Sequence, residues 1–165
     1  MPNQTIEIMI TSDLLSFYSY DSCWERTYYN DETGGYVVTS LMRISEGIKS
    51  KNNYSIFLKE QLMCLKLASF GFQIEHLYEY PGISSPDIAL HRHGSFVRIK
   101  GKTAELKQLS SSNKVYQEGI NARYKKRADL LIIEFTKQSS GILRELGRLA
   151  GKGIHGYYFY SNQDR

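Results

Sequence analysis

Only two cysteines, Cys23 and Cys64, occur in the 165 residues, far apart and in no CxxC or Cys/His spacing. That scarcity excludes a disulfide framework and a cysteine-built zinc site. Cys64 falls in an apolar helical stretch and reads as a buried thiol. No apolar run approaches the ~20 residues of a membrane span, and the opening "MPNQTIEIMI" lacks the basic segment and apolar core of a secretory signal. The expectation is a soluble chain with no Sec address of its own. Internal repeats and low-complexity tracts are also missing. Hydrophobic content of 41% with 23% charged residues is that of a globular chain, not a disordered one.

What is abundant is tyrosine, with 13 copies, and positive charge in the later part of the chain. Residues 1–60 hold five basic and eight acidic side chains, leaving 16 basic and nine acidic for the remainder; a net −3 is followed by a net +7. A basic C-terminal part suits a polyanionic partner, because Lys and Arg facing phosphates release counterions. The length allows one compact domain with a real core. Residues 1–50 read as an N-terminal elaboration and 51–165 as the core.

In the elaboration, "TIEIMI" alternates like a strand, "RTYYNDETGGYVVT" reads as a β-hairpin turning at Gly34–Gly35, and "SEGIKSKNN" as a polar connection. From Ser55 to Phe70, Ile56, Phe57, Cys64, Leu67 and Ala68 recur at helical spacing, with Asn53 or Ser55 as the cap and Gly71 as the stop. Strands follow at "FQIEHLYEY", "PDIALHRHG" and "FVRIKGKTAELKQL", the last interrupted at Gly101. A helix runs from the serines at 110–112 to about Lys126. "ADLLIIEF" has the continuous apolar character of a strand covered on both faces. Ile142, Leu143, Leu146, Leu149 and Ala150 mark a further helix, and "IHGYYFYSN" a last strand. From residue 55 the order is helix, three strands, helix, strand, helix, strand, which predicts an α/β fold with a mixed central sheet flanked by helices.

The chemistry concentrates around "PD" at 86–87 and "ELK" at 105–107. On a strand, Glu105 and Lys107 point to one face. An antiparallel ribbon would bring Asp87 beside Glu105 on that face, and a divalent cation relieves the repulsion of two adjacent carboxylates. Mg²⁺ fits best, with Mn²⁺ or Zn²⁺ as substitutes, since it takes hard oxygen ligands and retains several waters. Lys107 could then position a water for attack on a phosphodiester. Glu60 sits between Ile56–Phe57 and Met63–Cys64 on the apolar helix face, where a buried carboxylate needs compensation, and could reach the same metal. Lys100, Lys102, Lys114, Arg123, Lys125, Lys126 and Arg127, with Arg98, are candidates to clamp phosphates; the "RYKKR" run also suits a helix C-terminus through the dipole. His91 and His93 form an alternative metal pair, while His155 reads as structural. Tyr157, Tyr158 and Tyr160 fit either base stacking or a strand's core face.

Taken together, Glu60, Pro86–Asp87 and Glu105–Leu106–Lys107 in this element order resemble the PD-(D/E)XK nuclease superfamily. More narrowly, "GGYVVT", "SSPDIAL", "AELK", "SSNKV" and "KKRADLLIIEF", across residues 33–136, resemble the C-terminal nuclease toxin domains of bacterial contact-dependent growth inhibition systems and related phage or mobile-element modules. The resemblance implies Asp87, Glu105 and Lys107 as catalytic residues. It implies Asp87, Glu105 and the Leu106 carbonyl as metal ligands, completed by Glu60. It further implies an endonuclease for RNA, with tRNA favoured over DNA, and a cognate immunity protein. Such a domain acts in the cytoplasm and can be a piece of a larger secreted protein. In one respect this chain departs from the pattern: seventeen residues separate Asp87 from Glu105, more than the usual hairpin. A DNA endonuclease of a mobile element and a non-catalytic binding module on the same fold are the alternatives.

Overall fold

The computed structural model describes residues 24–90 and 102–161. The predicted strand "TIEIMI", the segment around His91, His93, Arg98 and Lys100, and Cys23 lie outside the described residues. The chain is α/β: seven strands and four α-helices occur among the described residues. They divide into two compact units, one of residues up to Tyr78 with Leu90, the other of Glu79–Ala89 and the residues from 102 onward.

In the first unit, strand β1 (Trp24–Tyr29) pairs antiparallel with β2 (Tyr36–Ser40), and β2 pairs parallel with β3 (Gln73–His76). The hairpin expected at Gly34–Gly35 is present, and Gly34 holds a left-handed φ of 77° that the turn requires. The segment read as a polar connection, residues 45–53, instead takes in the end of helix α1 (Leu41–Gly47) and the first residues of the next helix. Helix α2 (Lys51–Ser69) starts four residues before the predicted Ser55. Its cap is Ser50, whose hydroxyl accepts the Asn53 amide at 3.1 Å. Helix α2 ends in a Schellman motif: Gly71 N–H donates to the Ala68 carbonyl, Phe72 N–H to that of Leu67, and Gly71 adopts φ 103°. Met63, Cys64, Leu67 and Ala68 form its buried stripe, but Ile56, predicted to share it, is 52% exposed.

In the second unit, β4 (Ile88–Leu90) pairs antiparallel with β5 (Thr103–Leu109), and β5, β6 (Leu130–Phe135) and β7 (His155–Tyr160) are parallel neighbours. The parallel neighbours need crossovers. Helix α3 (Val115–Ile120), continued by a π-helical turn over Asn121–Lys125, serves the first, and α4 (Ile142–Gly151) the second. All six residues of β6 are buried, as its apolar run predicted. On one face of these strands Leu109, Leu131, Ile133 and Phe135 pack with Val115 and Ala122 from the α3 segment and Ile142 and Leu149 from α4. Gly119 lets α3 and α4 approach: a Cβ there would lie inside van der Waals contact of Leu149. At the open ends of β5 and β6, Asp129 Oδ2 accepts from Thr103 N at 2.9 Å, and Asp129 N donates to Thr103 Oγ1 at 3.2 Å, which pins the register. Glu105, Lys107 and Leu109 alternate onto the helix-covered face, so one strand supplies both core and site.

Candidate functional site

Pairing of β4 with β5 sets Ile88 opposite Ala104 and Ala89 opposite Thr103. Continued by one step, that register puts Asp87 opposite Glu105, on the same face of the ribbon. One step further it puts Pro86 opposite Leu106. Proline has no N–H to give to the Leu106 carbonyl, so the backbone ladder cannot close there. The Asp87 side chain takes over: its Oδ2 accepts the Leu106 N–H at 2.8 Å. The N–H and C=O of one strand residue point to the same side. Leu106 therefore turns its carbonyl toward the Asp87 side, and the Pro-Asp pair explains why a carbonyl and two carboxylates meet.

Glu105 is only 2% exposed, and its Oε1 has no hydrogen-bond partner. Its Oε2 lies 3.7 Å from Lys107 Nζ, which is also 3.5 Å from Glu118 Oε2 on α3. Lys126 Nζ donates to Glu79 Oε1 at 2.9 Å. Partial burial alone would lower the Lys126 pKa. The Glu79 hydrogen bond, then the negative charges of Glu105, Glu79 and Asp87, outweigh it and hold the ammonium above its ordinary value. Glu105 and Glu118 thus share the Lys107 ammonium, and one buried Glu105 oxygen is left unpartnered.

Of the predicted site residues, Asp87, Glu105, Leu106 and Lys107 come together in the second unit. Glu60 belongs to the first, on α2. There it pairs with Arg43 of α1, and its Oε1 lies 3.9 Å from His76 Nε2. The Gln61 amide donates to His76 Nδ1 at 2.6 Å and to Thr39 Oγ1 at 2.9 Å, and Phe57 stacks on the imidazole at 5.8 Å. With Nδ1 accepting, the ring proton sits on Nε2, facing Glu60. Burial would raise the Glu60 carboxyl, but the nearby imidazole of His76 and then the Arg43 guanidinium prevail and hold it at about 2. Compensation of this carboxylate therefore comes from Arg43 and His76.

The basic residues separate into two groups. Lys102, Lys114, Arg123, Lys125 and Arg127 are exposed, whereas Lys126 is half-buried beside Glu79. The π-helical turn makes the difference. Lys126 N–H bonds back five residues to Asn121 O at 2.9 Å, Arg127 takes a left-handed φ of 57°, and Ala128 N–H reaches Ala122 O at 2.9 Å. Tyr124, in the same run, is 69% exposed. Tyr157 and Tyr158 are exposed and Tyr160 is half-buried.

Sequence reading missed Glu79, Glu118, Arg43 and His76. For Glu118 a signal existed: it lies three residues after Val115 and four before Ala122, both buried, and so borders the core stripe of its helix. Among the described residues no group of three or more His, Cys, Asp or Glu side chains converges closely enough to cage a metal ion. Two carboxylates, one with an unpartnered oxygen, and a carbonyl match a hard cation that keeps much of its water. Asp87, Glu105 and Leu106 are the groups that could hold one. Comparison with protein-family models, curated proteins and solved structures found no match.

Proposed function

We propose that this chain is a metal-dependent endonuclease domain hydrolysing phosphodiester bonds in RNA, with tRNA as the favoured substrate. The reading is carried by the Asp87–Glu105–Lys107 arrangement on the β4–β5 ribbon, where a 98%-buried carboxylate keeps one oxygen without a partner. A native interior does not leave a carboxylate oxygen unpaired without reason. A divalent cation bound there would supply positive charge for phosphate oxygens and a more acidic water.

The protein's own residues do the rest. Asp87 and Glu105 provide oxygen ligands, and the Leu106 N–H holds Asp87 in place. Lys107, 31% exposed, points its ammonium between Glu105 and Glu118 and can orient a water or a phosphate oxygen at that edge. Exposed Arg123, Lys125 and Arg127 flank exposed Tyr124 in the chain, and Lys114 is exposed too, a combination that fits a phosphate backbone with unpaired bases. The tRNA preference, an immunity partner and delivery as part of a larger toxin rest on the family resemblance described above.

A second reading, a non-catalytic nucleic-acid-binding module, is favoured by one observation: Lys107 already bridges Glu105 and Glu118. Incubation of the purified chain with total bacterial RNA and with plasmid DNA, in Mg²⁺ or EDTA, separates the possibilities. Mg²⁺-dependent shortening of tRNA with intact plasmid is expected. Plasmid nicking would redirect the substrate to DNA, and retention of RNA without cleavage in Mg²⁺ would support the binding module.

A further inference from the structure

Among the described residues, the Lys107 ammonium has two ion-pair partners: Glu105 Oε2 at 3.7 Å and Glu118 Oε2 at 3.5 Å. The Glu118 carboxylate, in turn, pairs with Lys107 alone. Core packing fixes where Glu118 stands. It lies between buried Val115 and Ala122 on the α3 segment and beside Gly119, where a Cβ would collide with Leu149 of α4. The Glu118 side chain is 23% exposed and that of Lys107 31%, so water screens this pair less than it would a surface pair. Glu105 differs from Glu118 in what else is open to it, because it keeps Oε1 without a partner.

Resting on the nuclease reading above, we propose that Glu118 is a positioning residue, which holds the Lys107 ammonium in place when Glu105 is engaged by a divalent cation. With Glu105 so engaged, Lys107 loses one of its two counter-charges and gains a like charge nearby. A flexible four-carbon stem would then carry the ammonium out to solvent unless a second anion held it. Glu118 is that anion. It acts on the reaction only through Lys107, and the bridge at Lys107 belongs to the working site.

The test follows Lys107 itself, in the whole chain labelled with ¹³Cε-lysine and with the resonance assigned through Lys107→Arg. Relaxation of that carbon should report an ordered side chain in wild type with and without saturating Mg²⁺. In Mg²⁺-loaded Glu118→Gln it should become as mobile as exposed Lys125. Cleavage of bacterial RNA gives a second readout: Glu118→Gln should lower kcat about tenfold and leave KM unchanged, as for a group that orients a reacting residue. In a Lys107→Met background, Glu118→Gln should cost nothing further. A Lys107 carbon that stays ordered in Mg²⁺-loaded Glu118→Gln, or a full additional loss in the double variant, overturns the inference and leaves the nuclease reading standing. A wild-type chain that neither binds Mg²⁺ nor cuts RNA overturns both. Where Glu118→Gln does not fold, wild type still decides: Lys107 must keep its order on Mg²⁺ saturation, and a carbon that becomes as mobile as that of Lys125 overturns the inference.

Discussion

Glu105 is the residue on which the account turns. A carboxylate that is almost wholly buried and leaves Oε1 unpartnered costs folding free energy, about 1–3 kcal/mol for an unmet hydrogen-bonding group. Glu105→Gln removes the charge at nearly constant volume, and Lys107 retains Glu118 as its partner. We expect Glu105→Gln to be at least as stable as wild type by urea denaturation and to lose metal binding. A strongly destabilised variant that still binds metal would show Glu105 to be an ordinary structural residue. Glu60 makes the opposite case, because its carboxyl is held at about 2, well below its ordinary 4.5. A lowered carboxyl stabilises the fold above its unfolded-state value and loses that contribution as pH falls through the folded-state value. Stability should therefore drop between pH 4.5 and about 2, and Glu60→Gln should flatten that limb while lowering stability at neutral pH. A Glu60→Gln curve parallel to wild type from pH 5 to 2 would remove the Arg43–His76 assignment.

At the scale of elements, α3 and α4 set how closely the helix layer approaches β5 and β6. Gly119→Ala would push a methyl group into Leu149 and should cost about 1–3 kcal/mol, measurable as a lower urea midpoint. Adding Leu149→Val should recover part of that loss, because the two positions share one space. Simple additivity would contradict the contact. Most of these elements were legible in the sequence for physical reasons. The apolar run Leu130–Ile133 of β6 reads as a covered strand, Ile142 and Leu149 of the predicted α4 face are buried although Leu143 is 65% exposed and Ala150 exposed too, and Gly71 marked the end of α2. Helix α1 was hidden because "LMRISEG" is short and polar, with no residue that caps it. Ile56 misled because the first turns of α2 face away from the core in spite of apolar side chains. The π-helical turn carries no sequence signature, and it is what sets Lys126 apart from its basic neighbours.

For the whole molecule, the candidate site was legible where it is local and hidden where it is tertiary. Asp87 and Glu105 could be paired in advance because strand alternation and one antiparallel register are enough. Lys107 follows from Glu105 by two residues. Glu79 and Glu118 reach the site through a loop and a helix whose placement depends on packing, and sequence spacing does not encode that. Glu60 was assigned by its helix face, and its partners come from α1 and β3. The division into two units also bears on stability: the polar network of Thr39, Gln61, His76 and Glu60 lies in one, and the Asp87 and Glu105 carboxylates in the other. Substitutions in one network should leave the other's readout intact. Glu60→Gln is therefore expected to change acid stability without altering Mn²⁺ affinity at pH 7, and loss of that affinity would assign Glu60 to the metal as well.

The central claim is that Asp87, Glu105 and Lys107 form a working phosphodiesterase site. It is tested most directly by single-turnover cleavage of labelled bacterial tRNA in Mg²⁺ by wild type, Asp87→Asn and Lys107→Met, each first shown to melt cooperatively. The account predicts rates reduced at least about a hundredfold in both variants, as for loss of a positioned acid–base or ligand group. Cleavage at the wild-type rate by either folded variant would contradict it.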